Sequence, residues 1–159
     1  MGSSSDGRAS ASQAEGRGFD PHLPLTVVFN QFSRLTKKIK AMNNVSATRI
    51  VKTAANDQPV NADIAIGFGQ RGDTIIYIDG QKFLEFEDSR SGIQLGTNNS
   101  LKQKLVVFQT MVYDIQKQTN QTSMDITVLG AQSELKIPMS FTVPSEGDVV
   151  SYTANINFI

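Results

Sequence analysis

Cysteine and tryptophan are absent from the 159-residue chain, and histidine occurs once, at His22. Without cysteine there are no disulfides, no thiolate metal sites and no cysteine nucleophile. Because imidazole is the usual general base near neutral pH and the commonest metal ligand, a single histidine between two prolines argues against most hydrolase and metalloenzyme chemistry. The chain is accordingly read as non-enzymatic, with no cofactor and no metal. Net charge is absent as well: 15 basic residues balance 15 acidic ones, so no global field draws in nucleic acid or an anionic membrane. No apolar run reaches the roughly 18 residues of a membrane-spanning helix, and no signal-peptide pattern opens the sequence. Membrane insertion is not expected. The compartment stays open, with an extracellular or cell-surface setting favoured.

What the chain does contain is alternation. From Val149 to the end, Val150, Tyr152, Ala154, Ile156 and Phe158 fall on one face, and Ser151, Thr153, Asn155 and Asn157 fall on the other. A period of two marks a half-buried strand. The same pattern recurs in Leu135, Ile137, Met139, Phe141 and Val143, where Pro138 lacks a ladder donor and predicts an unpaired side or a bulge. Further strands are expected near Ala47 to Thr53, Ala62 to Phe68, Thr74 to Ile78 and Met124 to Leu129. Asp79-Gly80 supplies the positive φ angles of a tight hairpin turn, and Gln70 to Asp73 reads as a second turn, so the region from Ala62 to Phe83 is expected to be a meander of two adjacent hairpins. Glu87 to Asn99 is rich in breakers and reads as loop, although Ile93 and Leu95 could hold a short strand. Leu101 to Gln116 fits either a helix capped by Ser100 or a strand, and the strand is preferred over Lys104 to Ile115 for its β-branched and aromatic content. The fold expected is all-β: a single antiparallel β-sandwich of immunoglobulin-like or jelly-roll type.

The start of the chain differs. Residues 1 to 18 have the Ser/Gly/Ala/Arg composition of a flexible arm or linker, leaving 19 to 159 as one domain. Leu23, Leu25, Val27 and Phe29 alternate as a strand would. Phe29, Phe32, Leu35, Ile39 and Met42 then recur at steps of three and four, predicting one short basic helix that Asn43-Asn44 ends.

Candidate sites are few. Arg71-Gly72-Asp73, expected at a turn, is a tripeptide that adhesion receptors read, yet its residues are ordinary turn chemistry. Arg34, Lys37, Lys38 and Lys40 form a basic face suited to an anion contact, or simply to solvent. Glu85, Glu87 and Asp88 lack the spaced ligand pattern of a calcium loop.

The two ends together resemble chaperone-usher fimbrial subunits. The residues that carry the resemblance are Gly147-Asp-Val-Val-Ser-Tyr152 through Phe158-Ile159 and the alternating Leu23-x-Leu25-x-Val27-x-Phe29. It implies an immunoglobulin-like domain lacking one strand, whose groove, with Tyr152, Ile156 and Phe158 on its terminal strand, takes the donor face Leu23, Leu25, Val27 and Phe29 of a neighbour by strand addition. Other copies of the chain would be the partners, forming an oligomer or filament, with a chaperone or host receptor besides. Two readings compete with this one. A shell-forming viral coat jelly roll would contact nucleic acid through the basic helix, and a monomeric β-sandwich module would bind or adhere through its loops. The sequence thus favours a structural, self-assembling subunit.

Overall fold

The computed structural model describes residues 42–159. The expected arm, the donor-like residues Leu23, Leu25, Val27 and Phe29, and the basic residues Arg34, Lys37, Lys38 and Lys40 lie outside them. Nine strands make up the described fold: β1 Met42–Val51, β2 Pro59–Ile66, β3 Arg71–Ile78, β4 Gln81–Glu87, β5 Arg90–Thr97, β6 Leu105–Tyr113, β7 Gln121–Leu129, β8 Leu135–Thr142 and β9 Val149–Phe158. One helical turn, α1 Asn98–Leu101, separates β5 from β6. A five-stranded sheet in the order β1-β9-β6-β3-β4 faces a four-stranded sheet in the order β5-β2-β7-β8. The architecture is an all-β sandwich, antiparallel except where β1 runs parallel to β9.

Alternation builds the core. Val106, Phe108, Thr110 and Val112 of β6 and Val150, Tyr152, Ala154, Ile156 and Phe158 of β9 point inward and meet Val60, Ala62 and Ile64 of β2 and Met124, Ile126 and Val128 of β7. Phe108, Tyr152 and Ile156 have no exposed surface. The terminal strand is as its pattern predicts. At the predicted tight turn Asp79 and Gly80 have φ of 50° and 78°, and Ile78 pairs with Gln81 across it. Pro138 lies in β8, the outermost strand of its sheet, where its missing N–H costs no ladder bond.

Three expectations are corrected. The meander does not form, because β2 and β3 belong to different sheets and only β3 and β4 make a hairpin. The turn between β2 and β3 spans Gly67 to Gln70, and its bends fall at Phe68 and Gly69, with φ of 58° and 68°. Phe68, expected to end the strand that starts at Ala62, is therefore turned outward and half exposed. Second, the presumed loop from 87 to 99 is largely strand β5: Ile93 and Leu95 are buried on the inner face beside β2, and its breakers fall at a bulged edge instead of a gap. Third, Asn43-Asn44 does not end an element but lies within β1. The preferred strand at 104 to 115 is β6, and the cap before α1 is Thr97, whose hydroxyl accepts from Ser100 N while Ser100 Oγ accepts from Thr97 N.

Candidate functional site

Arg71-Gly72-Asp73 is not at a turn tip. It begins β3, between β4 and β6, and each member is engaged. Arg71 pairs with Asp88 at 2.8 Å and Glu87 at 3.9 Å, and Asp73 accepts a hydrogen bond from Tyr113 Oη at 2.8 Å. Gly72 is buried where a Cβ would lie 2.7 Å from Met111 O. Burial, reinforced by that bond and by the Asp73 charge, pushes the Tyr113 phenol up to about 12. Glu85, the remaining carboxylate near the β4 end, pairs with Lys82. Among the described residues no three His, Cys, Asp or Glu side chains are grouped to hold a metal ion, and no helix is long and apolar enough to cross a membrane. Two surface clefts of about 290 Å³ occur, one at Lys52 and Lys102 and one between Phe68 and Phe141; neither is lined by a carboxylate side chain or histidine.

Tyr152, Ile156 and Phe158 point into the sandwich from a strand paired on both edges, by β1 and by β6. The place beside the terminal strand is thus filled by the chain's own β1, and among the described residues no strand pairs with the far side of β1.

That edge stands apart from the other three. An exposed row of N–H and C=O groups is a template for another strand, and edges are normally blunted by charge, proline or bulges. β4 carries Lys82, Glu85 and Glu87 and a register break opposite Ile76/Tyr77; β5 pairs with β2 through two register breaks and carries Arg90; β8 holds Lys136 and Pro138. β1 pairs with β9 through ten consecutive residues without a break, and from Met42 to Thr48 it has neither charge nor proline.

Its open groups can be assigned. Ile159 N donates to Val51 O, and Thr53 N donates to Ile159 O, both at 2.8 Å. Hydrogen-bonding direction alternates along a strand, so the odd-numbered residues of β1 face β9 and the N–H and C=O of Asn44, Ser46 and Thr48 face away. Thr48 O takes a bond from the Arg49 guanidinium at 2.9 Å. The outward groups of Asn44 and Ser46 have no partner among the described residues.

An apolar seam runs beneath. β1 borders β8 across the side of the sandwich, and Val45, Ala47, Leu135 and Phe141 are only half buried there. Asn43 Nδ2, on the inner side of β1, is buried without a hydrogen-bond partner among the described residues. Sequence reasoning missed this edge, because alternation identifies a strand and not its neighbours. The charge-free stretch from 42 to 48 was the one available signal. No known family matches the chain, and neither does any curated protein or solved structure.

Proposed function

We propose that this protein is a structural subunit that self-assembles by strand addition, the segment Leu23 to Phe29 of one copy pairing with the open edge of β1 in another. The unguarded β1 edge carries this reading. The segment and the charge-free stretch Met42 to Thr48 are each seven residues long, about 23 Å of extended chain. Main-chain hydrogen bonds would supply strength, and the alternate side chains Leu23, Leu25, Val27 and Phe29 would cover Val45, Ala47, Leu135 and Phe141 and set the register. A backbone carbonyl of the added strand is the kind of acceptor that Asn43 Nδ2 lacks.

Size-exclusion light scattering with negative-stain electron microscopy tests it. The full chain should form oligomers or filaments. Ser46→Pro, which removes an outward N–H and no β1–β9 bond, should give folded monomers with an unchanged far-ultraviolet circular dichroism spectrum. Val27→Asp should do the same by forcing a charge against an apolar seam. A monomeric wild-type chain, or oligomers unaffected by both substitutions, would overturn the proposal.

A further inference from the structure

At one end of the sandwich three loops converge on a pair of buried carboxylates, Asp114 and Asp148, exposed by only 1% and 2%. Gln70, from the β2–β3 turn, donates through Nε2 to Asp114 Oδ1 at 2.8 Å and to Gln121 O at 3.1 Å. Its Oε1 accepts from Ile115 N at 2.8 Å and Gln116 N at 3.2 Å. Asp114 N donates to Asp148 O, and Gly147 N donates to Asp114 O. Asp148 Oδ2 accepts from Ser145 N at 3.1 Å. The turn after β2, the loop after β6 and the loop before β9 are thereby tied through one glutamine and two aspartates.

The arrangement leaves Asp114 Oδ2 and Asp148 Oδ1 buried without any hydrogen-bond partner among the described residues. A buried ionised carboxylate requires donors or a counter-charge. The groups facing Asp114 provide little of either. From the β2–β3 turn comes the neutral amide of Gln70, and from the loop before β9 come Glu146 and Asp148, both acidic. Among the described residues neither Asp114, Glu146 nor Asp148 takes part in an ion pair, and no third ligand completes a metal site. The cheapest neutralising ligand for such a site is a proton.

We infer that this three-loop junction is a pH-sensitive latch, closed when the buried Asp114 carboxyl is neutral and loosened when it ionises. Burial, with the Glu146 and Asp148 charges adding to it against the Gln70 bond, raises Asp114 above the ordinary aspartate range. Since the folded state holds this proton more tightly than the unfolded chain, the latch is strongest in acid and weakens as pH rises through the folded-state value.

The test is a carboxyl carbon NMR titration of the full chain from about pH 3 to pH 8, beside melting curves of the wild type and Asp114→Asn over the same range. The Asp114 signal should titrate above the ordinary aspartate value. The amide of Gln116, held by the Gln70 carbonyl, should exchange with solvent faster once it does. Asp114→Asn should flatten the decline in melting temperature toward neutral pH. An Asp114 signal that titrates at or below the ordinary value overturns the inference whether or not the variant folds; so does unchanged exchange at Gln116.

Discussion

Tyr152 shows how much a single side chain settles here. Its ring is fully buried on β9, and its hydroxyl reaches β7, donating to Thr122 O at 2.9 Å and lying 2.7 Å from Thr122 Oγ1. The two sheets are thus joined by a polar clasp inside an apolar core. Tyr152→Phe leaves the Thr122 hydroxyl short of that partner and should cost about 1–3 kcal/mol, measurable by urea unfolding; a variant as stable as wild type would show that the clasp contributes nothing. Tyr113 offers a spectroscopic counterpart. With its phenol pushed up to about 12, it should ionise after an ordinary tyrosine in an alkaline absorbance titration, and Asp73→Asn should bring it down. Because the folded value exceeds the unfolded one, the stability linked to this proton is lost as pH climbs above 10.

Among the elements, those with a strict period of two were legible, as β8 and β9 are, because one face of β9 is buried along its whole length and one face of β8 is buried in the middle and half buried at its ends. The β3–β4 turn was legible for a different reason: Asp79-Gly80 has one favoured geometry. Gly80→Val forces a β-branched residue to φ near 78° and should cost about 1–2 kcal/mol, read by thermal melting. β5 was obscured by Gly92 and Gly96, which look like breaks in a string of letters but serve a bulged edge in space. β2 to β3 was misjudged because Gln70 to Asp73 has the composition of a hairpin turn, while the actual bends fall at Phe68 and Gly69 and carry the chain from one sheet to the other. Turn residues state that the chain bends, and the strand's apolar face decides where it goes next.

For the whole molecule, balanced charge and the lack of charge from Met42 to Thr48 on the proposed acceptor edge lead to one expectation. Assembly through main-chain bonds and apolar side chains should change little between about 50 and 500 mM salt, since screening acts mainly on exposed charges. Light scattering across that range checks it, and dissociation at high salt would point to an ionic contact instead. The candidate site was only half legible. The donor-like alternation of Leu23 to Phe29 is written in the residues, but that β1 and not β9 presents the open edge depends on a pairing between segments more than a hundred positions apart.

That pairing also orders events in time. Met42 aligns with Val149 and Val51 with Phe158, so among the described residues β1 has no pairing strand until the last strand exists, whereas β3 finds β4 across a two-residue turn. Contacts so distant along the chain form late and slowly. During synthesis β1 would emerge first among the described strands and wait longest, with both edges unpaired and Val45 and Ala47 uncovered. A strand left waiting in this way, uncharged from Met42 to Thr48, makes the half-made chain the species most exposed to premature pairing.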